Sequence, residues 1–343
     1  MNFFILINRL IAKIWALIFT RKKEARWAAA FVRRLEQQYG KDALDEETFK
    51  KIIGRYAVYT LMICDAFTSL RKRQTNRAEK ERILRFMICS ALFDNFCDRN
   101  KWPREQLYNI IYNTETYPAR QADEKLFRES FLLLKKYVRE PETYEKVTQK
   151  LFEAQIDSIR QFDKSTKDAE IERITFEKGG YSVLFCSFYL EETTSQTEKN
   201  CWYQIGCLIQ LINDLFDIYK DLQDRSETLP LRMTDARAFD RYFSGLVQSI
   251  TDEMDKLPFP LKRKLDLMVS VSGICSFGKL ALQQLITIQG NRPRLPEFHT
   301  LPRKALIVDM EKPGNIWYCI RYMYRHTSRW LTQQSKKPAG IRP

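Results

Sequence analysis

The sequence predicts an all-α fold, and three observations carry that expectation. Gly and Pro are scarce, at 11 and 12 of 343 residues. No sustained period-two alternation of the kind a half-buried strand needs is present. Apolar residues instead recur at three- and four-residue intervals over 49–70, 82–96, 126–137, 144–162, 203–222, 239–254 and 261–285. No Ser-, Pro- or Gly-rich linker interrupts the chain and no internal repeat suggests a solenoid. The expected organisation is one large helical domain over 26–332, preceded by an amphipathic helix over 1–25 and followed by a flexible tail over 333–343.

Residues 1–20 are apolar enough to suggest a membrane span, but their polar residues argue otherwise. Asn2, Arg9, Lys13 and Thr20 recur at spacings of seven, four and seven, on one side of a helix whose remainder carries Phe3, Ile7, Leu10, Ile14, Leu17 and Ile18. Such a helix either lies peripherally in a membrane interface, with Arg21, Lys22, Lys23 and Arg26 near anionic headgroups, or docks on its own bundle or on a second subunit in a homodimer. Positive charge follows the apolar run and no Ala-x-Ala site ends that run, which argues against a cleaved signal peptide.

Within 82–96 and just beyond it, Asp94 and Asp98 stand at i and i+4 on one helical face, with Arg99 next in the chain. Such a pair alone is weak, because acid pairs are common on solvated faces. Further on, Asn213, Asp217 and Asp221 fall within one narrow stripe at about 100° per residue. The preceding Ile205-Gly206-Cys207-Leu208-Ile209-Gln210-Leu211-Ile212 is apolar and would bury the adjacent turns, so a purely solvated acidic face is the weaker reading. Hard oxygen donors converging on one point suit Mg²⁺, which takes carboxylates together with waters and phosphate oxygens. Lys220 lies within the same stretch.

Between the two clusters, 171–182 combines Arg173 and Lys178 with Gly179-Gly180 in an otherwise helical setting. Two adjacent glycines cost a helix about 2 kcal/mol relative to two alanines, so a helix break or a close backbone approach is expected. Arg173 and Lys178 are both candidates for holding an anion, and the sequence does not choose between them. Residues 222–230 are polar and end in Pro230, which reads as a rim loop with Arg225 able to reach an anion. Toward the C-terminus, Arg321-Tyr322 and Tyr324-Arg325 are paired cations and aromatics.

Lys and Arg total 57 against 43 Asp and Glu, a net charge of +14, so an anionic partner is expected. The basic residues are scattered in short groups such as Arg71-Lys72-Arg73 and Lys336-Lys337, without a nucleic-acid-binding signature, and no nucleic-acid partner is expected. Cysteines at 64, 89, 97, 186, 201, 207, 275 and 319 lack Cys-x-x-Cys pairing. They read as reduced core thiols of a cytoplasmic chain, with the inner face of the membrane as the peripheral alternative. His299 and His326 are too few for a histidine metal site or a triad, and both read as surface residues.

The stripe at 213–221 resembles the second metal motif of class I terpene synthases, Asn-Asp-x-x-Ser-x-x-x-Glu, with Asp in the last two ligand positions. Asp94-Asn95-Phe96-Cys97-Asp98-Arg99 resembles the upstream Asp-Asp-x-x-Asp motif with Asn95 in second place. It is more similar still to the Asp-Tyr-Leu-Asp-Asn-Leu-Cys-Asp-Arg signature of bacterial large terpene synthases of the tetraprenyl-β-curcumene synthase type. It departs from that signature at Ala91, where that family has its first aspartate.

This resemblance implies a class I terpenoid synthase helical bundle around a central cavity. It implies Asp94, Asp98, Asn213, Asp217 and Asp221 as ligands of about three Mg²⁺ ions. Arg99, Arg173, Lys178, Lys220, Arg225, Arg321 and Tyr322 would contact diphosphate, with no catalytic residue beyond these. Gly179-Gly180 would mark a helix break, and the loop ending in Thr228-Leu229-Pro230 would close over the site. The implied reaction is Mg²⁺-dependent ionisation of a long all-trans prenyl diphosphate (C20–C35) to an allylic carbocation with loss of diphosphate, a carbon–oxygen lyase activity.

Aromatic faces would stabilise the cation. Phe93, Phe96, Tyr181, Phe185, Phe188 and Tyr189 lie near the motifs, although aromatics at helical spacing are more often core. No Gly-Lys-x-x-Arg segment for an isopentenyl diphosphate acceptor is found, which favours a single substrate. The alternatives are a chain-elongating or head-to-head condensing prenyltransferase of the same fold, and a non-catalytic membrane-associated helical relative.

Overall fold

A computed structural model of the chain describes residues 3–40 and 42–336. The described residues are helical, with no strand among them, so the all-α expectation holds. In chain order the helices are α1 (Phe3–Trp15), α2 (Arg21–Tyr39), α3 (Glu46–Tyr59), α4 (Asp65–Ser69), α5 (Arg77–Asp98), α6 (Arg104–Tyr112), α7 (Ala122–Lys135) and α8 (Pro141–Asp157). They continue as α9 (Asp168–Phe185), α10 (Gln196–Phe216), α11 (Ile218–Asp224), α12 (Leu229–Arg232), α13 (Ala236–Asp255), α14 (Leu261–Gln289), α15 (Arg303–Leu306) and α16 (Pro313–Lys336). Of the flexible tail expected over 333–343, residues 333–336 instead form the last turn of α16, while 337–343 lie outside the described residues, as does Asn2.

Two compact units emerge. One gathers 13–147 and 185–193, and the other gathers the described residues of 1–12, 148–184 and 194–343. The chain passes from one to the other within α1, α8 and α9 and in the segment that precedes α10, so no linker composition marks the boundaries.

In the unit of 13–147, the start of α5 shows how the sequence builds a helix terminus. Asn76 accepts from the Glu79 backbone N–H at 2.9 Å while Glu79 accepts from the Asn76 N–H at 2.7 Å, a reciprocal cap. Glu79 is fully buried, which is tolerable because its carboxylate also takes two nitrogens of Arg73 and the Glu191 N–H. The stretch 49–70 is helical as expected but is not one α-helix. Thr60–Cys64 forms a wider π-helical turn between α3 and α4, and all five of its residues are buried.

In the other unit, Ser195 and Glu198 cap α10 in the same reciprocal manner. α14 is buried on nearly every face, between α13 and α16 and against α10. Among the described residues α14 is the one helix long and apolar enough to cross a membrane, and 83% of its apolar window is buried inside the protein. A bundle's central helix has that composition.

Candidate metal site

The site in the 194-onward unit begins with the glycines of α9 and α10. α9 runs unbroken from Asp168 to Phe185, so the helix break implied at Gly179-Gly180 is absent and close approach is the reason for the pair. A Cβ on Gly179 would meet the Gly206 carbonyl oxygen at 2.6 Å, and one on Gly206 would meet the Gly179 oxygen at 2.4 Å. A Cβ on Gly180 would strike the Tyr203 ring at 2.5 Å. Three glycines thus let the two backbones touch, and the Cys207 thiol reaches the Phe176 carbonyl across the same crossing.

That contact fixes the register in which α9 meets the acidic end of α10. Thr175 and Lys178 come beside Asp214, which is one residue off the expected stripe. α10 ends at Phe216, Asp217 adopts φ −93° and ψ 7°, and α11 begins at Ile218. The joint leaves the stripe intact, because Asp217 N–H donates to the Asn213 carbonyl and Asp221 N–H to the Asp217 carbonyl, each at 2.8 Å. Asn213 and Asp217 are exposed and Asp221 is half-buried.

Asp214 is buried, at 6% exposure. One carboxylate oxygen accepts from Gln210 Nε2 at 2.8 Å, whereas Oδ2 has no hydrogen-bond partner. Burial pushes the Asp214 carboxyl up to about 7, and Asp217 adds to that shift, while the Gln210 hydrogen bond, Lys178 and Thr175 hold it back. Thr175 Oγ1 favours the charged carboxylate only by proximity, since it is itself buried without a well-formed hydrogen bond. Asp221 is likewise pushed up to about 7, first by burial and then by Asp214 and Asp217. The interacting acids therefore form the row Asp214, Asp217 and Asp221 at i, i+3 and i+7, with Asn213 on its exposed flank.

Spacing of four alone missed Asp214. Its signal in the sequence was the two-turn interval to Asp221, directly after an apolar run.

The cations divide into spent and available. Arg173 is held by Glu170, Glu177 and Asp157, so it is occupied as a bracket between α9 and the end of α8. Lys220 is exposed and paired with Asp224 at 2.7 Å. Lys178 and Arg225 have no ion pair among the described residues. Arg225 ends α11 in the left-handed region, at φ 57°, where Gly or Asn is the usual occupant. The rim segment after it is pinned rather than loose. The Glu227 N–H donates to the Gln161 carbonyl, and Arg232 binds Glu227 and Asp168.

Arg321 is exposed on α16, and Tyr322 is half-buried with its ring stacked on His326 at 5.5 Å. His326 corrects the surface expectation. Its Nδ1 lies 2.8 Å from Ser272 Oγ, and burial lowers its pKa to about 4. His299 is exposed beside Glu297, as expected.

The other acidic cluster, in the unit of 13–147, is built differently. Asp94 is half-buried and faces two cations of α3, Lys51 Nζ at 3.2 Å and Arg55 Nη1 at 3.6 Å. Asn95 donates to Thr48 Oγ1 at 2.9 Å, a bond between α5 and α3. Asp98 is exposed at the C-terminal end of α5, where the helix dipole disfavours an acid. Arg99 is engaged by Asp45 and Glu47 at the start of α3. Ala91 is buried at 1% exposure, so a carboxylate there would be a buried charge.

The aromatics near the motifs are packed against one another. Phe96 stacks on Trp102 at 4.0 Å and meets Phe127 edge-on, Phe93 also abuts Phe127, Phe185 stacks on Phe86, and Tyr144 meets Phe188 edge-on and shares a hydroxyl hydrogen bond with Tyr189. Tyr181 meets Tyr203 in the other unit.

Among the described residues no group of three or more Asp, Glu, His or Cys side chains is placed to hold a metal ion. The donor types at α10–α11 are nevertheless of the hard-oxygen kind that Mg²⁺ takes. They comprise an unpartnered buried carboxylate oxygen and two carboxyls that burial first, and neighbouring acids second, push up to about 7. Mg²⁺ keeps several waters and shares phosphate oxygens, so it needs no cage made only of protein. All eight cysteines are free thiols, seven of them buried, and none belongs to this set. No protein-family model matches the chain, and no curated protein matches it.

Proposed function

We propose that the protein is a Mg²⁺-dependent terpene synthase that ionises a long all-trans prenyl diphosphate. The observation that carries this reading is the buried Asp214 carboxylate with an unpartnered oxygen, set with Asp221 in a hard-oxygen motif where burial and neighbouring acids push both carboxyls up to about 7, with Lys178 beside Asp214 and Arg225 at the end of the same motif. Asn213, Asp217 and Asp221 would hold the metal, with Asp214 supporting them. Mg²⁺, when bound, supplies Lewis-acid stabilisation of the departing diphosphate.

Lys178 and Arg225 would bind diphosphate oxygens and balance the charge that grows as the carbon–oxygen bond breaks. Arg99, Arg173 and Lys220 are already neutralised by carboxylates, so they contribute less than the resemblance implies. The resemblance also implies that Asp94 and Asp98, in the unit of 13–147, bind metal. Asp94 would do so only by giving up some of its pairing with Lys51 and Arg55.

The test is incubation of the purified protein with Mg²⁺ and all-trans prenyl diphosphates of graded length, with and without isopentenyl diphosphate, following diphosphate release and hydrocarbon products. Turnover should fall at least about a hundredfold in Asp217→Ala. No turnover by the wild type at any chain length would sink the enzyme reading and leave a non-catalytic helical relative. Product only with isopentenyl diphosphate present would make the protein an elongating synthase.

A further inference from the structure

The N-terminal helix holds the protein with one face and leaves another bare. Leu6 and Leu10 are buried, and Arg9 Nη1 pairs with Asp266 of α14 at 3.0 Å. Lys13 Nζ donates to the Leu61 carbonyl of the π-helical turn within its own unit, that of 13–147. The polar stripe that would be expected to meet water is therefore turned toward protein at Arg9 and Lys13. Solvent instead meets Ile11, Trp15, Ile18 and Phe19, each more than half exposed, with the Trp15 and Phe19 rings 4.0 Å apart.

The next turn presents Arg21, Lys22, Lys23 and Arg26, all exposed. Glu24 is the one acid between residues 1 and 26, and it is buried, taken by Lys80 at 2.7 Å and the Tyr56 hydroxyl. The surface here is thus an apolar strip continued by uncompensated positive charge.

We infer that this face seats the protein in the interface of an anionic lipid bilayer. Trp15 and Phe19 would enter the boundary between headgroups and acyl chains, where an indole is favoured. The four cations would meet lipid phosphates. α1 does not span, because Arg9 and Lys13 interrupt its 13 residues and are engaged with protein. A second copy is the poorer occupant, since it brings the same four cations, whereas an anionic bilayer brings the opposite charge. The inference does not depend on the proposed reaction, and its test uses no prenyl substrate.

The full chain is sedimented with vesicles of phosphatidylcholine and with vesicles of phosphatidylcholine mixed with phosphatidylglycerol, and tryptophan quenching by brominated acyl chains is measured in parallel. The wild type should bind the anionic vesicles and lose that binding as salt rises. Replacing Trp15→Glu together with Phe19→Glu should lower the partition coefficient at least about a hundredfold, with circular dichroism unchanged because both side chains are exposed. Lys22→Gln with Lys23→Gln should cost roughly fivefold per cation, on anionic vesicles only. Failure of the wild type to bind, or equal binding by the Trp15/Phe19 double variant, overturns the inference. So does a doubling of mass in lipid-free light scattering that the same double variant abolishes, which would assign the face to a second copy.

Discussion

Asp94 on α5 already has two cations of α3 beside it, whereas Asp214 on α10 is more deeply buried, has an unpartnered oxygen and meets only one lysine at longer range. Both acids follow an apolar helical run, and both belong to motifs of similar appearance in the sequence. The difference lies in the helix packed against each. α3 offers Lys51 and Arg55 to α5, while α9 offers glycines, Thr175 and Lys178 to α10. A carboxylate neutralised by its neighbours stabilises a helix pair, whereas carboxylates that crowd one another in a desolvated place create a demand for an added cation. By that criterion the α10–α11 cluster is the better candidate for metal.

The largest expected effect comes from breaking the contact that creates the crowded cluster. Gly206→Val would drive a branched side chain into the Gly179 carbonyl and the Val183 side chain, where even one Cβ already lies inside 3 Å. Overpacking of this kind costs about 1–3 kcal/mol. Because α9 must move away, Lys178 and Thr175 should leave Asp214, and diphosphate and metal binding should weaken together with the melting temperature. A Gly206→Val protein with wild-type stability would mean that the helix crossing does not position the site.

The parts of this arrangement that were legible in the sequence are those with local periodicity. Apolar spacing gave the helices, and the i, i+4 stripe at 213–221 survived even a joint at Asp217 because its backbone hydrogen bonds continue. Gly179-Gly180 announced an unusual need, but a break and a close approach produce the same two letters, and only the position of Gly206 decides between them. Charge pairing was not legible, because it is made at long range. Lys51 lies 43 residues from Asp94, and Asp157 lies 16 residues from Arg173. His326 was misread for the same reason, its partner Ser272 being 54 residues away.

A second effect follows from the charge of the cluster itself. Burial, reinforced by the neighbouring acids, pushes the Asp214 and Asp221 carboxyls up from an ordinary value of 3.8 to about 7. The folded state therefore holds more protons than the unfolded one between about pH 4 and pH 7, and stability falls as pH rises through that window. The steepest slope is about 1.4 kcal/mol per pH unit for each carboxyl. Asp214→Asn should flatten this slope in urea titrations followed by circular dichroism, and should raise stability near about pH 8 in the absence of metal. Mg²⁺ should stabilise the wild type near about pH 8 and do little near about pH 4, where protons already occupy the acids. A wild-type stability that is level across the window would remove the distinction between the two clusters.

The smallest effect tests the other side of the comparison. Lys51 and Arg55 are each more than a third exposed, so Lys51→Gln should change stability by less than about 1 kcal/mol. Its consequence for metal is more informative than its consequence for folding. A cation and Mg²⁺ cannot both draw fully on the same Asp94 oxygen, so removing Lys51 should strengthen Mg²⁺ binding by up to about fivefold if Asp94 is a ligand. Calorimetric titration of Mg²⁺ into wild type and Lys51→Gln measures this directly. Unchanged affinity in Lys51→Gln, together with a clear loss in Asp221→Asn, would make Asp94 a member of the α3–α5 ion-pair network and confine the metal to α10–α11.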